Sequence, residues 1–205
     1  MTNKTPPAAR GRPRAFSEPD VLRRATAVFL ARGLEATAYE DIASATGLSK
    51  PSLYNAFGDK TALFEKVLDG YAVHARQQIL TTFATGTSIA GATKAMLLAA
   101  ADVYAPAEGP STGCLLVGTA LPACTLHDAV QKTLMDFLTA IEADLEALIG
   151  TRHAGEAKRL HRTPCSLALQ ISSLLLSLAV RARTGVSRRR LRAIATELGD
   201  TLTIG

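Results

Sequence analysis

The segment from Ala38 to Phe57 constrains the fold more than any other. Apolar residues recur at helical spacing as far as Thr46, the pattern stops at Gly47, and it resumes after Ser49 as Lys50 to Phe57. With only Gly47, Leu48 and Ser49 between them, the two short helices predicted there meet at a tight turn. Gly47 suits left-handed backbone at that turn, Leu48 is placed to plug the core between the helices, and Ser49 is placed to cap the second. Ile42 and Ala43 face inward from the first helix, and Leu53 and Phe57, four residues apart, from the second. Lys50, Ser52 and Asn55 are then left on the outer face.

The flanking sequence is helical as well. Ser17 is a good N-cap, Glu18 and Asp20 suit a positive first turn, and Pro19 is tolerated there. Val21, Leu22, Ala25, Val28 and Phe29 follow at helical spacing until Gly33 ends the run. Gly58 and Asp59 close the second short helix and open a longer one carrying Leu63, Phe64, Val67, Leu68 and Tyr71. Beyond Phe83 the helices lengthen, with joints at Gly86 to Ser88, Pro106 to Gly113, and Pro122. Aromatics make up only 5% of the chain and Trp is absent, which disfavours strands. These patterns predict an all-α fold of about nine helices without a sheet. A boundary inside the fourth helix divides the chain into a basic arm (residues 1–15), a helix-turn-helix domain (16–70) and a larger helical domain (71–205).

The formal charge of +5 suits a polyanionic partner, and its distribution says more than its total. Lys4, Arg10, Arg12 and Arg14 stand in a tail that holds no acid and no apolar period, so this arm is expected to be disordered without a partner. Pro6, Pro7 and the basic residues leave no apolar core for a signal peptide, which implies a cytoplasmic protein. The apolar run from Pro164 to Val180 is short for a bilayer and carries Ser166, Gln170, Ser172, Ser173 and Ser177, so it reads as a buried helix and no membrane partner is expected. Cys114, Cys124 and Cys165 form neither a disulfide framework nor, with His127 and His161, a recognised metal motif. No phosphate loop, nucleophile elbow or paired carboxylates are present, so an enzyme built on Cys124 and His127 has little support, and no cofactor is expected. Arg181, Arg183, Arg188, Arg189, Arg190 and Arg192 are expected to be solvated residues around a helix joint.

The outer face of the second short helix has the chemistry of the DNA major groove. Lysine reaches guanine or phosphate, serine bonds base edges or phosphate, and asparagine reads adenine or contacts backbone. From Phe16 to Tyr71 the chain resembles the DNA-binding domain of the tetracycline-repressor (TetR) family, with Gly33, Thr37, Ile42-Ala43, Gly47-Leu48-Ser49, Leu53-Tyr54, Phe57 and Lys60 in family order. The resemblance implies Thr37 and Tyr39 near phosphate, Lys50, Pro51 and Ser52 at base edges, and Tyr54 and Lys60 on the DNA backbone. Arg14 and Asn55 join them as candidate contacts. Many members carry an aromatic and a His just before the Ala56-Phe57 equivalent, where this chain has Tyr54-Asn55, so operator preference is expected to differ.

The same resemblance implies a repressor released from a palindromic operator when a small molecule occupies the helical domain. Candidate pocket residues are Met96, Tyr104, Cys114, Val117, Leu121, His127, Met135 and Phe137, a largely apolar set that serves equally as core. Cys114 and Cys124 are either buried inert thiols or, as in some members, sensors of electrophiles. A homodimer is implied through the last two helices, with Leu167, Ile171, Leu174, Leu175 and Leu178 on one and Leu191, Ile194 and Leu198 on the other; internal core is the alternative use of these residues.

Overall fold

The computed structural model describes residues 16–109 and 111–203, so the basic arm with Arg14 lies outside the described residues. Among these residues there is no strand. Helix α1 (Glu18–Ala36) starts after Ser17, whose backbone is extended but whose hydroxyl makes no capping bond. Asp20 in that first turn instead pairs with Arg23 and Arg24 at 2.6 and 2.8 Å. At Gly33 the backbone leaves helical geometry (φ 81°, ψ 172°), where sequence places the end of the helix, and one further turn carries α1 to Ala36. Helices α2 (Tyr39–Thr46) and α3 (Lys50–Phe57) follow, and then α4 (Lys60–Ala84), whose first turn is capped by the Asp59 carboxylate on the amide of Ala62 at 2.8 Å.

The larger helical region comprises α5 (Ile89–Tyr104), a π-helical turn (Leu116–Ala120) running into the short α6 (Leu121–Ala123), α7 (Asp128–Arg152), α8 (Ala154–Arg159), α9 (Pro164–Arg183) and α10 (Arg188–Asp200). Among the described residues the α-helices number one more than expected, with His153 breaking α7 from the short α8. Val21, Ala25 and Phe29 of α1 and Leu63, Phe64, Val67 and Leu68 of α4 belong to one continuous core with Leu97, Leu145 and Ile171 of the later helices. Helix α9 is long and apolar enough to cross a membrane by composition, yet it packs against α5, α7 and α10 with Leu167, Ile171 and Leu178 almost fully buried.

Two expectations change here. The arginines near the last joint are structural: Arg188 and Arg192 both grip Asp102 of α5, at 2.8 and 2.5 Å. Burial works against ionisation of Asp102, but the two guanidiniums outweigh it and hold the carboxyl below its usual range. Leu167, Ile171, Leu175, Leu178 and Leu191 are buried within the chain itself, and Leu174, Ile194 and Leu198 are half-buried against the same core. The outward face of α9 is a different stripe, Leu169, Leu176 and Val180, with 56, 37 and 50% of their surfaces exposed.

Packing of α10 on α5 is close enough to exclude a methyl group. A Cβ at Gly199 would lie 2.6 Å from Cβ and 2.8 Å from Cα of Lys94, whereas one at the exposed, helical Gly70 would meet nothing within 4 Å. Overpacking costs about 1–3 kcal/mol and an unhindered helical Gly→Ala gains about 0.5–1 kcal/mol. Gly199→Ala is therefore expected to lower the midpoint of thermal unfolding by roughly 5 °C and Gly70→Ala to raise it by roughly 2 °C, as read by circular dichroism. Shifts of the same sign would contradict this packing.

Candidate nucleic-acid interface

The turn between α2 and α3 is built as its residue types dictate. Gly47 adopts left-handed backbone (φ 72°, ψ 13°), with its amide donating to the carbonyl of Ala43 at 2.9 Å. Leu48 packs half-buried against the core. Ser49 caps α3 by accepting from the amide of Ser52. Leu53 and Phe57 are almost wholly buried, while Lys50, Pro51, Tyr54 and Asn55 are exposed and Ser52 is half-buried, its hydroxyl 2.9 Å from that of Ser49.

Behind this face α1, α2 and α3 are tied by hydroxyls that the family resemblance assigned to phosphate. Thr37 is buried and donates to the carbonyl of Gly33 at 2.5 Å. Tyr39 is buried too, and its hydroxyl donates to the carbonyl of Gly58 at 2.7 Å, tying the start of α2 to the end of α3. Its ring lies against that of Tyr54 with centroids 4.4 Å apart. Burial foremost, then the neighbouring Tyr54 and Asp59, pushes the Tyr39 phenol up to about 12. Lys60 donates to the carbonyl of Glu35 at 3.2 Å, so its ammonium sits between the end of α1 and the start of α4. Lys50 forms an ion pair with Glu40 of α2. Neither Glu40 nor the pairing of Arg32 with Asp41, at 2.6 Å, was read from sequence, because each depends on how α2 lies against its neighbours.

The end of α1 is held from the later helices. Thr119, buried in the π-turn, donates to the carbonyl of Phe29 at 3.2 Å. Arg183, from the end of α9, donates to the carbonyl of Leu30 at 2.5 Å and passes so close to Gly118 that a Cβ there would lie 3.2 Å from its Cδ. His127 faces Glu35 at 3.0 Å. From sequence His127 was read as a pocket residue and Arg183 as a solvated one, and Thr119 and Gly118 were not singled out.

Two apolar hollows lie in the larger helical region, the first open to solvent. One, of about 150 Å³ between α4 and α5, is lined by Tyr71, His74, Gln78, Ile79, Met96 and Tyr104 among others. The other, of about 30 Å³, brings Tyr104, Cys114, Val117 and Phe137 together with Leu116, Ile141 and Leu175. Cys114 is buried and accepts from the Tyr71 hydroxyl at 3.6 Å; burial drives the phenols of Tyr71 and Tyr104 well above their usual value. Leu121 and Met135 are instead on the surface, and the thiol of Cys124 donates to the carbonyl of Leu121.

A capped recognition-type helix, presented by a glycine turn and braced from within by a second short helix, makes this a helix-turn-helix regulator of transcription. Residues 21–67 match the family described as "Bacterial regulatory proteins, tetR family". The transcriptional repressor ComR of Escherichia coli K12 is 28% identical over 96% of this chain and 92% of its own length, and the repressor BdcR of the same strain is 26% identical over 98% and 97%. A cysteine-substituted form of the TetR-family regulator CifR, solved with a 26-base-pair operator duplex, superposes with a TM-score of 0.78 at 27% identity, over 92% of this chain and 98% of that one. Residues 21–67 thus carry the DNA-binding region of the tetR family, and over nearly its whole length the chain is similar to TetR-family transcriptional repressors.

Tyr39→Phe tests the internal brace. It keeps the ring against Tyr54 and removes only the donor to Gly58, for an expected loss of about 1 kcal/mol in denaturant unfolding. An unchanged midpoint would show that the hydroxyl contributes nothing to holding α2 on α3.

Proposed function

We propose that the chain is a transcriptional repressor that binds a palindromic operator as a homodimer, through a reading head of residues 16–70, and leaves it when a small apolar molecule occupies the helical region of residues 71–205. The observation that carries this reading is the exposure of Lys50, Pro51, Tyr54 and Asn55 on one face of a helix whose opposite face, Leu53 and Phe57, is fixed in the core. Ser52 and Lys60 complete the contact surface. The named functions of ComR and BdcR and the operator complex of CifR support it. A protein acting on bacterial operators works in the cytoplasm.

One short helix reads only a few base pairs, so a palindromic site calls for two copies. The exposed stripe Leu169, Leu176 and Val180 on α9 is the apolar face left for the second copy. Effector response has a physical route. Leu116 and Val117 line the smaller cavity and belong to the same π-turn as Thr119, on which the end of α1 rests. A ligand that fits only the enlarged cavity displaces that turn, and its differential affinity for the two states sets how far the operator-bound form is depleted.

Selection from a randomised duplex library is expected to recover an inverted repeat with half-sites about one helical turn apart. On the selected duplex, Asn55→Ala is expected to cost about 1–3 kcal/mol and relax preference at one position, whereas Lys60→Ala weakens all duplexes alike and lowers the salt slope by about one. Identical profiles for the two variants would refute the division between base reader and backbone contact. Leu176→Glu is expected to convert the dimer to monomer in sedimentation velocity; an unchanged dimer would remove α9 from the interface.

A further inference from the structure

Lys50 is the only cation on α3, and it is paired with a carboxylate. Glu40 stands in the first turn of α2, ten residues earlier, with 61% of its side chain exposed against 46% for Lys50. The hydrogen bond from Lys50 holds the Glu40 carboxyl below its usual range, so it is charged wherever the protein functions. Asp41, the neighbouring acid, is already engaged by Arg32 and by the amide of Ala38. The Ala38 amide is thus capped by Asp41, and the Glu40 carboxylate, which also accepts from its own amide, reaches across to the reading helix. An exposed pair of this kind contributes little to stability, which leaves a role at the surface where it lies.

We infer that Glu40 is a specificity-determining residue, which suppresses binding to unrelated duplex and, together with Lys50, selects a G·C pair in each half-site. The inference rests on Lys50 facing DNA as proposed above. Affinity for DNA of any sequence comes from cations that neutralise phosphates. A Lys50 already neutralised by Glu40 adds little to that affinity, and the carboxylate is itself repelled by the phosphates. Only a sequence that satisfies both groups recovers the cost of separating them. In the major groove guanine offers the O6 and N7 acceptors for lysine, and the cytosine paired with it offers the N4 donor for a carboxylate. A single G·C pair thus matches the ion pair as a unit, with two adjacent guanine acceptors converging on the lysine; A·T also offers the carboxylate a donor, at adenine N6, but leaves the lysine a single acceptor on either base, N7 or O4.

The test uses the full chain, a scrambled-sequence duplex and a randomised duplex library. Glu40→Gln is expected to tighten binding to the scrambled duplex about fivefold and to increase the slope of log K against log salt by about one, as Lys50 becomes available to phosphate. The selected sites should lose the G·C preference at one position per half-site. Glu40→Asp, which keeps the charge, should retain the wild-type slope, and adding Lys50→Gln to Glu40→Gln should abolish the gain. Wild-type affinity, slope and selected base in Glu40→Gln would overturn the inference. So would a change in affinity shared equally by scrambled and selected duplexes with no change in slope, since that is the behaviour of a merely structural residue. Failure of the wild-type chain to bind any duplex would instead overturn the proposed function.

Discussion

The hydroxyl of Thr119 and the guanidinium of Arg183 reach from the later helices to the carbonyls of Phe29 and Leu30, in the turn of α1 just before Gly33 leaves helical geometry. Carbonyls at such a point are the ones a helix leaves short of internal partners. The break thus creates acceptors, and the body supplies donors for them. Together with the unbroken helix α4, this joint ties the reading head to the body. Glu35 and Thr37 lie just beyond it, Lys60 returns to the carbonyl of Glu35, and Thr37 returns to that of Gly33. The π-turn and the end of α9 therefore bear directly on α1, with no loop between them. Gly118 is part of the same device, since a side chain there would occupy the space through which Arg183 passes.

Forces of different weight hold the two sides of α3. Its inner face rests on the burial of Leu53 and Phe57 and on the Tyr39 to Gly58 bond, which persist in any salt. Its outer face carries an exposed ion pair that DNA can open. This division suits a surface that must stay in register while exchanging partners. Tyr54 belongs to both sides, stacked on Tyr39 yet half exposed, so the ring fixes where its hydroxyl is offered.

The head was legible in the sequence because its devices are local. A turn glycine, a plug leucine, a cap serine and an apolar i, i+4 pair each act within a few residues, and Gly47, Leu48, Ser49, Leu53 and Phe57 stand as read. The functions of polar side chains were less legible. Thr37 and Tyr39 look like surface donors in one dimension, and only packing shows their hydroxyls turned inward to Gly33 and Gly58. The same holds for the arginines: Arg183, Arg188 and Arg192 form a charge run in sequence, while their partners Leu30 and Asp102 are far away along the chain. On α9, a 3-to-4 period identifies an apolar helix but not how many of its faces are covered. Leu167, Ile171 and Leu178 turn to the core and leave Leu169, Leu176 and Val180 outside. The cavities were read in part, with Tyr104, Cys114, Val117 and Phe137 brought together and Leu121 and Met135 left on the surface.

The joint at the end of α1 is tested most directly by amide hydrogen exchange on Arg183→Ala. Loss of a charge-assisted bond to the Leu30 carbonyl should speed exchange about tenfold or more across residues 31–36 and the π-turn, with α7 and α10 unchanged. Unaltered exchange in α1, or a uniform acceleration along the whole chain, would contradict the account in which Arg183 and Thr119 hold the reading head to the body.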